Sequence, residues 1–351
     1  MTSRLALILG VLSLIAAQLL ASKAIAPLRR DVMPTSEAYS ALTPGEFAGT
    51  LMLGGFRGLA CDLLWLRADA AQEQGRYYES LALFQTISRV QPRFEQVWTY
   101  MSWNMAYNLV HEVEDPDAKW SWFLAGIHSN VRGCERNPAS LRLLVHLASM
   151  FQQRGDRFHH RIAAQEWAPL VNPVVERVNA RVGPDRRLTP LPSGAGISNY
   201  RIASLLYRAS GRLAEAIGAQ QPPMARRMVP LTIECDGNQQ RNGGHHREAV
   251  RTWIESMIVW QEVKAQYDAM PFVVDGYSER IDGIDSYERN EGRLRRKAAQ
   301  LAALLHDDPQ LANALAAAIL ARRFDEALAL LSRPGWHDTA SRGHVRWLDE
   351  N

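Results

Sequence analysis

The sequence predicts an all-α protein, and three observations carry that expectation. Apolar residues recur at helical spacing through most of the chain beyond residue 49. Alternating runs bounded by tight-turn residues are missing; "MPFVVDGYS" at 270–278 comes nearest and is too short to found a sheet. With 47% hydrophobic residues in 351 and ten tryptophans in helical contexts, the chain can bury one large or two modest cores and does not read as disordered.

The elements follow in order. After Arg4, residues 5–22, "LALILGVLSLIAAQLLAS", carry no charge. At 1.5 Å per residue this run reaches about 27 Å, enough to cross a bilayer core. The best small-x-small cleavage site is "AIA" at 24–26, where Pro27 follows directly and Lys23 interrupts the approach. The run also exceeds the usual length of a signal core. We therefore favour an uncleaved inner-membrane anchor (1–26) over a signal peptide. Lys23, Arg29 and Arg30 outnumber the positive charges on the other flank, which argues for a cytoplasmic body. The very short leading tail argues for export, and a periplasmic body is the slightly favoured orientation. Residues 27–48 hold three prolines and form a linker.

Helical patterning occupies 49–112 and breaks at "HEVEDPD". Asp115-Pro116 is a helix start, with Asp as cap and Pro in the first turn. That helix should end at Asn137-Pro138, followed by helices over 140–154 and from Gly155-Asp156 to about Trp167. Residues 168–196 contain five prolines and no sustained period, so they are expected to be a long irregular connection (171–197 in the domain scheme). Helix returns at 198–219. A second irregular stretch is expected at 220–242, then helices at 245–268 and 277–306, a hairpin from Asp308 to Ser332, and a frayed or loosely docked tail (336–351).

The stretch "EQGRYYESLALFQTISRVQPRFEQVW" (73–98) gives this helical pattern a repeat. Gly75 closes a helix, Tyr77 plugs the turn, Phe84 lies two turns further on the same side, and Pro92 stops the second helix. With Cys61 as first position, Ala68, Gly75, Tyr77, Phe84 and Pro92 resemble the tetratricopeptide repeat, a 34-residue helix-turn-helix unit. Ser80 replaces the usual Ala, and Trp65 stands one place late. A second unit would start at Glu95, with Trp98 in its fourth place and an insertion of about twelve residues near "HEVEDPDAK". A third would run from Leu141, through Leu147, Ala148, Phe151 and Gly155. Gly244, His246, Ala249 and Trp253 repeat the turn and second helix, as do Phe324, Ala327 and Leu331. Residues 52–170 are also similar to a group of bacterial membrane-anchored tetratricopeptide-like proteins, through Gly-Phe-Arg-Gly, Trp-Leu-Arg-Ala, Gly-Arg-Tyr, Pro-Arg-Phe and Trp-Asn-Met-Ala-Tyr-Asn. The resemblance implies repeats over 49–170 and membrane anchoring, and the spacing echoes downstream extend related hairpins over 198–335.

Little points to chemistry. Cys61, Cys134 and Cys235 form no CxxC pair, and three buried free thiols is the simplest reading. His159-His160 with Glu166 lacks a metal-ligand spacing, His246 already has the repeat's aromatic role, and the acidic pairs are explained by caps and loops. No nucleophile elbow or phosphate-binding loop is present, so no enzyme activity and no cofactor are expected. A net charge of +3 and a basic run, "RLRRKAAQ" (293–300), read as a solvated face balanced by Glu288 and Glu291, with no nucleic-acid partner.

The expected function is a scaffold for another protein or a membrane protein complex in a bacterial envelope. Its alternative is a subunit buried permanently in such a complex, with a small-ligand protein or enzyme behind both. In the repeat, the first helix of each hairpin lines the concave face. By resemblance the candidate positions are Asp62, Trp65, Asp69, Gln72 and Glu73, then Gln96, Thr99, Trp103, Ala106 and Tyr107, then Arg142, Val145, Ser149, Gln152 and Gln153. Trp103 and Tyr107 are one turn apart and form the expected anchor pair for a peptide or helix with apolar and basic character.

Overall fold

The computed structural model describes residues 56–269 and 279–340, and within them the structure is helical with no strand. The anchor run 5–22 and the linker 27–48 lie outside the described residues, as does "MPFVVDGYS" at 270–278. None of the described helices is long and apolar enough to cross a membrane. The chain divides into two compact units between Trp122 and Phe123.

The first unit is built on the hairpin of α1 (Phe56–Glu73) and α2 (Tyr77–Val90). Its turn is the one the sequence predicts. Gly75 has φ of +72°; its N–H bonds the Gln72 carbonyl at 3.0 Å and the Arg76 N–H bonds that of Ala71 at 2.8 Å. This pair of bonds ends the helix in a Schellman motif, which needs a left-handed residue at that point. Ala68, Ala71, Phe84 and Ile87 are fully buried. The half-buried Trp65 packs its ring 5.1 Å from Phe84 and 5.0 Å from Tyr100, both edge-on. Next comes α3 (Glu95–Trp103), continued by a π-helical segment, Asn104–Leu109, and a turn, Val110–Glu112. Trp98 donates its indole N–H to the Pro92 carbonyl at 2.8 Å, which ties the start of α3 to the end of α2. The division at Trp122/Phe123 falls inside α4 (Pro116–Arg136), which is capped by Asp115, whose carboxylate accepts from the Ala118 N–H at 2.8 Å.

The second unit is a succession of helices. α5 (Leu141–Ser149), extended by a π segment (Met150–Arg154) and a 3-10 turn (Gly155–Phe158), leads to the short α6 (His159–Ala163) and to α7 (Ala168–Asn179). Then come α8 (Asn199–Ala216), α9 (Pro223–Asn242), α10 (His246–Ala269), α11 (Glu279–Ala302), α12 (Pro309–Leu320) and α13 (Phe324–Leu331). α5 packs on α8, and the order then runs α8, α9, α10, α11, α12, α13. The turns at Gly244 and Arg322 reproduce the bond pattern of Gly75: Gly244 N–H to Arg241 and His245 N–H to Gln240, and Arg322 N–H to Ile319 and Arg323 N–H to Ala318. Arg322 takes φ of +58° without being glycine. Its guanidinium donates through Nε and Nη2 to both carboxylate oxygens of the buried Glu291, at 3.2 and 2.8 Å. Val250, Trp253, Leu294, Leu301, Leu315 and Leu331 are fully buried in the core of α10–α13.

Several expectations are corrected. The 168–196 stretch is not irregular throughout: α7 forms across Pro173 because Val171, Val174, Val175 and Val178 are all buried on one face. That burial outweighs the one backbone bond the proline lacks. The 220–242 stretch is α9, with Pro230 inside it. The Pro230 carbonyl also accepts from the buried Ser256 hydroxyl at 2.8 Å. The third hairpin does not close at Gly155, whose backbone stays right-handed. A Cβ at that position would lie 3.0 Å from Ile162 and 3.1 Å from Asn199, so the residue is small for packing, not for a turn. Its second helix shrinks to the five residues of α6, short of the expected Trp167. The tail is docked as far as Ala340. Trp336 is buried and donates to the Leu330 carbonyl at 2.8 Å, and the Ala340 N–H reaches His246 Nδ1 at 2.8 Å. The basic run on α11 is not simply solvated: Arg293 pairs with the buried Glu234 at 2.6 Å and Lys297 bonds Asn238 at 2.9 Å. Cys61 and Cys134 are buried free thiols, and Cys235 is a partly buried one whose pKa burial pushes up to about 11.

Candidate functional site

The candidate interaction residues fall into three groups. Trp65 is the hub of an aromatic cluster with Phe84, Phe94 and Tyr100, so its ring is largely used by the fold. Asp69 and Gln72 are half-buried on α1, and the Gln72 Oε1 is buried without a hydrogen bond. Thr99 bonds back to the Glu95 carbonyl at 3.3 Å. Ser149 does the same to His146 at 2.8 Å. Gln152 is bound within the second unit, where its Oε1 accepts from the Tyr207 hydroxyl at 2.8 Å. Ser149 and Gln152 therefore belong to a different unit from the other six.

Trp103 and Tyr107 do form a pair. Their rings stack with centroids 6.0 Å apart and planes 16° from parallel. Trp103 remains 37% exposed, and Tyr107 is half-buried. Trp103 is the last residue of α3 and Tyr107 lies in the π segment, whose wider turn keeps residues four apart on one side. The segment is held from beneath by Asn104, fully buried, which donates to the Tyr77 carbonyl at 3.1 Å and accepts from Asn108. Ala106, also proposed for this face, is fully buried.

The second unit contains a site that the sequence did not point to. Residues 187–198 run as an extended strap over α7. The Asn172 side chain both donates to the Leu191 carbonyl (2.9 Å) and accepts from its N–H (2.8 Å). Asn179 does the same for Leu188, at 2.8 Å each way. The Glu166 carboxylate accepts from the Gly194 N–H at 3.0 Å. The spacing has a simple cause. Two helical turns from Asn172 to Asn179 advance about 10.5 Å, and three residues of polyproline-II strand advance about 9.3 Å. Arg187, at φ −66° and ψ 139°, has that strand conformation.

Between this strap and helices α6, α8, α9 and α10 lies a cleft of about 1030 Å³. A chain of alternating charges runs along it. Ser198 donates to Asp236; Asp236 faces Arg201 at 3.3 Å; Arg201 reaches Glu255 at 2.7 Å; and Glu255 holds Arg208 at 3.2 Å. Burial raises the Asp236 carboxyl above its ordinary range, although the Ser198 bond and Arg201 pull it down. Burial also works to lower the Arg201 pKa, but Glu255 and Asp236 outweigh it and hold the guanidinium charged. Tyr200 donates to Asp156 at 2.8 Å, and burial together with this bond raises its pKa. His159 and His160 lie at the same cleft with ring centroids 3.8 Å apart. Among the described residues no group of three or more His, Cys, Asp or Glu side chains is placed to hold a metal ion. The one sequence signal for this wall is the polar stripe Arg201, Ser204, Arg208 on a helix whose other faces are apolar. Its carboxylate partners lie 35 or more residues downstream in the sequence.

Comparison with family models and with curated proteins finds no match for this chain.

Proposed function

We propose that the chain is a membrane-anchored, tetratricopeptide-like scaffold that binds another protein in a bacterial envelope complex. The observation that carries this reading is the Trp103–Tyr107 stack: a large aromatic left exposed beside its parallel partner on a buried, asparagine-braced segment. Exposed aromatics on a rigid support are the usual carriers of interface energy. The helix hairpins with a shared turn geometry at Gly75, Gly244 and Arg322 support the repeat assignment. Asp62, Asp69 and Glu73 on α1 favour a partner segment with basic character. The anchor belongs to residues 5–22, and mass spectrometry of the mature amino terminus tests it; a new terminus near Lys23 or Pro27 rejects it.

The interaction is tested by photo-cross-linking in cells from a benzophenone residue at position 103, with Trp103→Ala/Tyr107→Ala as the control chain. The scaffold reading expects a discrete partner whose capture by affinity purification is lost in the double variant while the helical signal and Tm are unchanged. Loss of folding would assign the pair to structure. The alternative, a permanently assembled subunit, draws on Leu59, Leu63 and Leu66, which lie along one side of α1 and are 56%, 60% and 66% exposed. Stoichiometric co-purification with a membrane complex would favour it.

A further inference from the structure

The cleft beneath the 187–198 strap has no part in that scaffold reading. We propose that it is a binding site for a neutral, hydroxyl-rich ligand, of the size of a short oligosaccharide. Four features of the cleft lead there.

The first is its charge. Asp236, Arg201, Glu255 and Arg208 alternate in sign and are paired in sequence along the wall, so their charges compensate. A multivalent anion would meet arginines already neutralised, and a cation would meet two carboxylates already paired and Asp156, which accepts from Tyr200. The cleft is polar without a strong field of either sign.

The second is what these groups leave over. Arg201 uses Nε and Nη1 on its two carboxylates, and Arg208 uses Nη2 on Glu255. The Arg201 Nη2 group and the remaining Arg208 N–H groups bond to no protein atom. Salt-bridged guanidiniums are fixed in orientation and polarised, which makes their remaining N–H groups good, directed donors.

The third feature is a mixed set of polar groups. Ser204 lines the cleft on α8 between the two arginines, and its hydroxyl can both donate and accept there. The half-buried Gln239 amide opposite offers both a donor and an acceptor with no protein partner. A hydroxyl group donates and accepts at once and so matches such a mixed set; an ion of either sign matches only half of it.

The fourth is shape. Pro190, Leu191, Pro192, Ile197 and Leu205 give the cleft an apolar side on which the C–H faces of sugar rings can rest. A volume of about 1030 Å³ exceeds the needs of a single ring. The two asparagine clamps hold the strap wall in place before any ligand arrives, which lowers the ordering cost of binding.

The test is calorimetric titration of the full chain with maltotriose, cellotriose and triacetylchitotriose, alongside triglycine, inorganic phosphate and spermidine. At least one trisaccharide should bind with 1:1 stoichiometry, with little change in affinity between low and high salt. Gln239→Ala and Arg208→Met should each weaken that binding roughly tenfold or more while leaving the helical signal unchanged. Should Arg208→Met fail to fold, the partly exposed Gln239→Ala decides. The proposal is overturned if no trisaccharide saturates by about 10 mM, if binding survives the cleft variants, or if triglycine, phosphate or spermidine is the ligand whose binding those variants remove.

Discussion

Gly237→Ala should destabilise this protein although it places a better helix former in a helix interior. Gly237 lies within α9, buried against α10. A Cβ there would stand 2.5 Å from both Cδ1 and Nε1 of Trp253, and 3.3 Å from the Ala249 carbonyl oxygen. Carbon atoms at rest approach to about 3.5 Å, so the shortfall is about 1 Å. The indole cannot yield easily: Trp253 is fully buried and its face carries the Lys297 ammonium at 4.7 Å. The two helices must therefore part, and overpacking of this kind costs about 1–3 kcal/mol. Alanine's helical advantage over glycine offsets about 1 kcal/mol. The balance is a net loss of up to about 2 kcal/mol. Gly292→Ala is the matched control. It makes the same change inside α11, where a Cβ would meet only the Arg296 guanidinium at 3.8 Å, and should gain up to about 1 kcal/mol. Urea unfolding of the purified chain, followed by circular dichroism, measures both. If Gly237→Ala unfolds at or above the wild-type midpoint, the α9–α10 contact is not tight and the reasoning is wrong.

Other outcomes follow from the same structure. Phe84→Ala removes a fully buried ring that packs on Trp65 and Tyr100, and should cost about 3–5 kcal/mol in the same unfolding assay. Gly75→Val forces a β-branched residue to φ +72° and should lower Tm by the equivalent of about 1–2 kcal/mol or more, with Gly75→Asn clearly milder. Asn172→Ala strands both backbone groups of the buried Leu191 and should cost about 1–3 kcal/mol, with faster proteolysis within 187–198 as a local readout. Burial lowers the His146 pKa to about 4 from its ordinary 6.5, so the unfolded chain binds its proton first. Its contribution is complete above about pH 6.5 and is lost as the pH falls to about 4, some 3 kcal/mol in all. Replacing His146 with Gln should flatten that part of the stability–pH curve.

The parts of the fold that were legible are those set by short-range spacing. Gly75, Phe84, Pro92 and Trp98 each act within two turns of their neighbours: Gly75 ends α1 with positive φ, Phe84 is buried, α2 ends just before Pro92, and Trp98 bonds the Pro92 carbonyl. The turn before α13 was legible from Phe324 and Ala327, but the residue that makes it was not. A left-handed arginine is stable at position 322 because its side chain reaches Glu291, 31 residues earlier. The same holds for α7 and α9, which form across internal prolines because tertiary burial of their valine and alanine faces outweighs local propensity. The Trp103–Tyr107 pair could be found from spacing alone. The cleft could not, since its ion chain joins residues 35 to 54 positions apart.

The strap shows why one misreading concealed two features. A proline-rich strand makes no hydrogen bonds within itself, so its carbonyls and remaining N–H groups need partners elsewhere or must face water. Taken alone, "RRLTPLPSGAG" therefore looks like a loop. A helix alongside can supply partners only if suitable side chains recur on one face at the strand's own repeat. Asn172 and Asn179, seven apart, do this for Leu188 and Leu191, three apart, because two helical turns and three strand residues advance by nearly the same distance. Asparagine suits the task because one amide both donates and accepts, and so replaces the neighbouring strand that a sheet would provide. Recognising those two asparagines as a ladder requires α7 to be a helix, and Pro173 in its interior argues locally against one. Once the helix is granted, the strap has a fixed position, and with it the cleft has a wall.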